Sequence, residues 1–246
     1  MIDALQAIPL SWWLALSVAL YVAATNLSWR VSGWTAGRGS RIGAAVRWCA
    51  ASPLTALGSL AYNIGAPCAA IAVGLLDPQQ MGLVQVDWLN SLVAGAAMLG
   101  AAGLLLWLDR VYLGRLLTEP LDGSLSDVPA ASAISTVWDV AFLQAHLGFY
   151  RGVAITLVGA YAGALAGLGL VLLEWGLNPA WRLQWSKRGL ARPAFDLFMA
   201  LTTTVLFLYT GNLWVCAAVH CILALSLRGP GRAVTDRPEQ DAPPAS

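Results

Sequence analysis

Six ionisable side chains stand inside or at the edge of long apolar stretches of this 246-residue chain: Asp139, His146, Arg151, Glu174, Asp196 and His220. In a bilayer, a charged group at the centre of a helix costs about 2.5–3.5 kcal/mol on insertion scales, so residues kept there are candidates for chemistry. Asp139 and His146 are seven positions apart, almost two helical turns, and share a helix face that Tyr150 extends. Arg151 points elsewhere, and Asp196, at the start of its stretch, is expected at the interface. Two histidines and two carboxylates in a dry site suit several roles. His146, Glu174 and His220 could hold zinc, or act as general acid and base. His146 or His220 alone could ligate haem or a chlorophyll-type pigment. The same groups could also do no more than hydrogen-bond across helices and fix their packing.

The elements that must position these groups are set by the solvent. Of the residues, 58% are hydrophobic and 11% charged, and the mean hydropathy is +0.66. Soluble domains carry about 25% charged residues, so this chain could not clothe a water-exposed surface. The expected fold class is therefore all-α, a polytopic membrane protein whose first partner is the lipid bilayer. A net charge of +1 gives no field for nucleic acid. The four cysteines, Cys49, Cys68, Cys216 and Cys221, show no zinc-finger spacing and read as buried small hydrophobes. The start, Met1 to Gln6, lacks the basic region of a cleaved signal peptide. Thirteen arginines against one lysine hint at a GC-rich bacterial genome; the expected location is the cell inner membrane.

A spanning helix needs about 20 mostly apolar residues. Stretches 8–29, 50–76 (kinked at Pro67), 89–108, 194–210 and 212–227 each supply one, and 130–178 supplies two, for about seven transmembrane helices. With the N-terminus outside, thirteen of fourteen basic residues fall on the cytoplasmic side, Arg151 being the exception. Of the twelve tryptophans, all but Trp138 lie near span ends. Within 130–178 the break decides the site. A break at Arg151 would hold His146 and Glu174 at opposite surfaces. Helices over 133–157 and 161–178 bring both to mid-depth, where Asp139 and His220 could join them. That arrangement buries Arg151, which then wants a carboxylate or backbone carbonyls. Gly159, Gly163 and Gly167 stand four apart, either as a close-packing face or with a turn beginning at Gly159. The chain divides into 1–129, three helices and loops; 130–228, a four-helix core; and 229–246, a disordered cytoplasmic tail.

The stretch Leu208-Tyr209-Thr210-Gly211-Asn212-Leu213-Trp214, followed by Val219-His220, resembles the closing motif of the CAAX-protease and bacteriocin-processing (CPBP) family of intramembrane proteases. Phe149-Tyr150-Arg151-Gly152 resembles the end of that family's Glu-Glu-x-x-x-Arg-Gly motif. Leu173-Glu174-Trp175 with Asn178-Pro179 resembles the region of its Phe-x-x-x-His motif. The resemblance covers roughly 130–228 and implies a CPBP-like helical bundle. It also implies that His146, Arg151, Glu174 and His220 occupy the catalytic positions. There the departures fall: the two family glutamates correspond to His146 and Leu147, the second-motif histidine to Glu174, its preceding Phe to Leu170, and the polar residue after the last histidine to Ala224. A swapped Glu–His pair could keep its contact but not the base's position against a scissile carbonyl, and about 1 Å of misplacement can cost about 100-fold. The implied protein is a non-catalytic relative, a pseudoenzyme serving as accessory or assembly subunit to other integral membrane proteins. The alternatives are an active intramembrane protease using His146, Glu174 and His220, and a haem- or pigment-binding subunit.

Overall fold

The computed structural model describes residues 8–36, 58, 60–116, 133–187 and 191–226. Among them every regular element is helical. Helix α1 spans Leu10–Ala36. A π-helical turn, Ala61–Gly65, runs directly into α2, Ala66–Ala72. Then follow α3, Trp88–Leu116; α4, Ala133–Val158; α5, Ala160–Leu177; the short α6, Pro179–Lys187; α7, Ala191–Thr210; and α8, Leu213–Ser226. Four segments are long and apolar enough to cross a bilayer: Leu10–Val31, Trp88–Asp109, Ala160–Leu177 and Pro193–Thr210. Trp12, Leu89, Tyr161 and Tyr209 are among many large side chains facing outward, an arrangement that suits lipid and not water. The chain is a multi-pass membrane protein.

The remaining expected spans take other forms. Helix α8 has 14 residues, about 21 Å by helix rise. Helix α4 has 26 residues but carries Asp139, Gln144, His146 and Arg151, which lower its hydropathy. Of the expected 50–76 span, residues 50–57 and 59 lie outside the described residues. Its latter part changes from π to α hydrogen bonding beside Pro67, which stands in the first turn of α2. Proline has no N–H to donate, so the helical ladder must be interrupted there. Past Ala72 the chain leaves helical geometry and turns through residues 73–87.

That segment docks onto the bundle. Leu76 and Met81 are buried and meet α4 where it has no side chains: a Cβ at Gly148 would lie 3.6 Å from Met81, and one at Gly152 2.9 Å from Met81 and 3.2 Å from Leu76. Gly82, at φ 74°, approaches the α7–α8 turn, and its carbonyl accepts from the Leu213 amide at 3.0 Å. Thr156 near the end of α4 donates to Gln80 at 2.6 Å. Residues 73–87, the Gly159 break and the Gly211 turn therefore share one end of the molecule. At the other end, Asn26 of α1 donates to the Leu177 carbonyl at 3.1 Å, and Asn178 donates to Tyr21 at 3.3 Å.

The break in 130–178 falls at Gly159, whose φ of 87° is open to glycine. Both readings of the glycine series apply. Gly159 makes the turn, while Gly163 and Gly167 pack face to face with α4: a Cβ at Gly163 would collide with the Ile155 backbone, and one at Gly167 would sit 2.8 Å from the Arg151 nitrogen. The hairpin α4–α5 is the centre of the fold. One buried cluster joins Leu147, Phe149, Tyr150 and Val153 of α4 to Ala70, Leu76, Met81 and Val171, with Leu10, Leu14 and Val18 of α1 against it. A second joins Ala164 of α5 to Ala102 of α3 and to Met199, Leu206, Phe207, Val215 and Val219 of α7 and α8. Each cluster draws on residues from both sides of position 130.

Candidate functional site

Helix α4 carries polar groups on two opposite faces. His146 and Tyr150, four apart, lie one above the other, as do Gln144 and Arg151, seven apart; Gln144 and His146 are two apart and about 200° away from each other. The first face turns toward α1, the π-turn and α5. The second turns toward α7 and α8. All four side chains are buried, with Arg151 and Tyr150 at 0% exposure.

On the first face, His146 Nε2 lies 2.8 Å from Glu174 Oε2, the two having 5% and 1% exposure. Each thereby has a hydrogen-bond partner in the dry interior, which a buried polar group requires. The other carboxylate oxygen, Oε1, accepts from the Tyr150 hydroxyl and from Tyr62 at 3.2 Å. Tyr62 and Tyr150 are 3.2 Å apart at their hydroxyls, and Ser17 Oγ lies 3.1 Å from Tyr62 and 3.2 Å from Tyr150. Tyr62 reaches this point from the π-turn, whose extra residue per turn offsets side chains from α-helical register. The His146 ring is enclosed by aromatic rings, with centroids 4.3 Å away at Tyr150, 5.1 Å at Tyr62 and 6.3 Å at Tyr21.

The second face holds a different set. The Gln144 amide bridges His220 Nδ1 at 3.0 Å and Thr203 Oγ1 at 3.4 Å. Arg151 Nη2 donates to Thr204 Oγ1 at 2.7 Å. Thr204 in turn donates to the Ala200 carbonyl, and Cys216 donates to the Thr203 carbonyl. The guanidinium carbon stands 5.1 Å from the centroid of the Phe207 ring, a cation–π distance. The α7–α8 turn that presents His220 is built locally: Asn212 Oδ1 caps α8 by accepting from the Trp214 and Val215 amides at 3.0 and 3.2 Å, and Gly211 takes φ 58°.

The four-group convergence expected from the sequence is not what forms. His146 and Glu174 meet. His220 bonds to Gln144 on the far face of α4, and Asp139 is exposed near the start of that helix. Arg151 is buried as expected, but its partners are a threonine hydroxyl and a phenyl face, not a carboxylate. The physical reason is rotational: α8 packs on the Gln144–Arg151 side of α4, so a histidine pointing inward from it cannot reach the His146 side. Among the described residues no group of three or more His, Cys, Asp or Glu is gathered as metal ligands, so a zinc set of His146, Glu174 and His220 does not fit this geometry. Trp138 faces outward, and among the described cysteines only Cys216 is fully buried, Cys68 being exposed; Cys49 and the 229–246 tail lie outside the described residues.

Ser17, Tyr21, Tyr62, Gln144, Thr203 and Thr204 belong to the two centres, and a search restricted to ionisable groups passes over them. Their signal was present as uncharged polar residues within apolar stretches: Gln144 two before His146, Tyr62-Asn63 ahead of Pro67, and three successive threonines in α7. Comparison with protein-family models, with curated proteins and with solved structures yields no significant match.

Proposed function

We propose that this chain is a non-catalytic, CPBP-like inner-membrane protein, an accessory or assembly subunit whose buried polar centres fix helix packing. One observation carries the reading. The groups that a water-activating centre would need are divided between opposite faces of α4, and the carboxylate among them already has three hydrogen-bond partners at 1% exposure. A hydrolase base needs a lone pair turned toward water and substrate; here the acceptors are turned toward His146, Tyr62 and Tyr150. A haem or pigment ligand needs an open ring nitrogen and room beside it; His146 Nε2 is engaged with Glu174 inside a ring of tyrosines, and His220, at 4% exposure, has its Nδ1 on Gln144.

The same reading takes seven spans with the N-terminus outside. Three turns expected on the outer side, at 73–87, Gly159 and Gly211, sit together at one end, while Asn26 and Leu177, each beside an expected cytoplasmic basic segment, sit together at the other. In mild detergent the protein should co-purify in stoichiometric amount with a partner integral membrane protein; migration of the native-source protein as a lone monomer overturns the subunit reading. The active-protease reading has one feature in its favour, the retained Glu–His contact at 2.8 Å. It requires a membrane substrate to accumulate uncleaved in both Glu174→Gln and His220→Ala strains. Unchanged processing in both is expected here.

A further inference from the structure

The guanidinium of Arg151 is fully buried, yet it meets no carboxylate among the described residues, and its Nε and Nη1 have no hydrogen-bond partner. Only Nη2 is engaged, by Thr204. The ion-paired carboxylate on the other face of α4, Glu174, is committed to His146 and the two tyrosines. An isolated cation in such surroundings is costly unless a counter-charge is brought to it. Arg151 stands eight residues before Gly159, about 12 Å along the helix. In the proposed seven-span arrangement that is below the plane of lipid headgroups, so a phospholipid phosphate held in that plane does not reach it. One cavity shares the Phe207 ring with the guanidinium's surroundings, though Arg151 itself does not line it. It has a volume of about 370 Å³ and opens at the Gly159–Gly211 end. Gln79, Gln80 and Tyr161 line it, as does Phe207, the ring that Arg151 faces at 5.1 Å.

We propose that Arg151 holds a small inorganic anion inside the bundle, admitted through this cavity past the Phe207 ring. The free N–H groups at Nε and Nη1 supply the charge-assisted hydrogen bonds, and Gln79 and Gln80 supply polar contacts at entry. The site is on the opposite face of α4 from the His146–Glu174 pair and stands whether or not that pair is inert.

The experiment uses the full chain in uncharged detergent, at constant ionic strength, with gluconate as the bulky background anion. Replacing gluconate by chloride or by inorganic phosphate should raise the unfolding temperature saturably. Stabilisation by chloride assigns a halide-sized site, and stabilisation by phosphate alone an oxyanion site. Arg151→Gln should weaken the half-saturating concentration at least tenfold. Should that variant fail to fold, Phe207→Leu, which leaves Arg151 and Thr204 in place and opens the approach, should speed anion exchange, and crystals of the wild-type chain grown in bromide should show anomalous density beside Nε or Nη1. No difference between gluconate and the small anions in the wild type overturns the proposal. So does equal stabilisation of wild type and Arg151→Gln, or bromide density only at the surface.

Discussion

At Glu174 one carboxylate satisfies a histidine and two tyrosines, and the magnitudes decide what its loss would mean. Removing one partner of a buried pair costs about 3–5 kcal/mol, whereas a single neutral hydrogen bond contributes about 1 kcal/mol. Glu174→Leu, which strands His146 Nε2 and leaves the two tyrosine hydroxyls only Ser17 and each other as partners, should therefore lower unfolding free energy in micelles by several kcal/mol. Tyr62→Phe should cost about 1 kcal/mol, because Tyr150 still donates to the same oxygen. Glu174→Gln should fall between them, since an amide keeps acceptors for the tyrosines and offers a donor to the ring. Denaturant titrations followed by tryptophan fluorescence would rank the three; equal losses for Tyr62→Phe and Glu174→Leu would contradict the assignment of Glu174 as the shared acceptor. The types of His146 and Glu174, and the break that lets them meet, were readable in the chain, because helix rise fixes depth once the turn is known. Which side of α4 each neighbour takes was not, since a shift of one position rotates a side chain by about 100° and the rotation is set by packing alone.

The hairpin α4–α5 depends on backbone proximity. Gly167 admits the Arg151 backbone, where a Cβ would lie 2.8–2.9 Å from the nitrogen, Cα and Cγ. Backbone in a helix cannot yield as a flexible side chain does, so Gly167→Ala should behave as an overpacked core, costing about 1–3 kcal/mol. Gly169→Ala, on the same helix with nothing within 4 Å of the new atom, should be neutral or stabilising by up to about 1 kcal/mol through helix propensity. Thermal unfolding of the two variants side by side checks the contrast. The spacing of the three glycines signalled either packing or a turn, and the breaks near Gly159 and Gly211 were legible, whereas the helices from Leu10 and Trp88 run on to Ala36 and Leu116, past the apolar stretches that ended at 29 and 108. The docking of residues 73–87 was hidden, because it rests on two glycines of α4 accepting Leu76 and Met81 from a distant part of the chain. The π-turn was hidden too: Pro67 announced an interruption but not its hydrogen-bond form.

For the molecule as a whole, composition alone determined the solvent, and lipid-facing aromatics at Trp12, Trp88 and Trp107 agree with it. The basic residues carry the orientation. Reporter fusions should place positions near Gln80, Gly159 and Gly211 outside and positions near Arg110, Arg182 and the tail inside. A fusion at Gln80 that reports inside would remove the 50–76 crossing from the proposed seven and invert the sidedness of everything after it. The two clusters of buried residues run across position 130, so neither portion should be stable when expressed alone; co-expression of 1–129 with 130–246 should restore the level of the intact chain, measured by immunoblot of membranes.

The two polar faces of α4 also differ in when they can be completed during synthesis. His146 finds Glu174 only 28 residues later, so the hairpin can leave the insertion machinery with that pair already hydrogen-bonded. Arg151 waits for Thr204, 53 residues downstream. Between those moments a lone guanidinium sits on a newly made helix with no permanent neighbour on that side. Nascent chains arrested after α5 should accordingly remain bound to the insertase, or be degraded, until α7 emerges to shelter that helix.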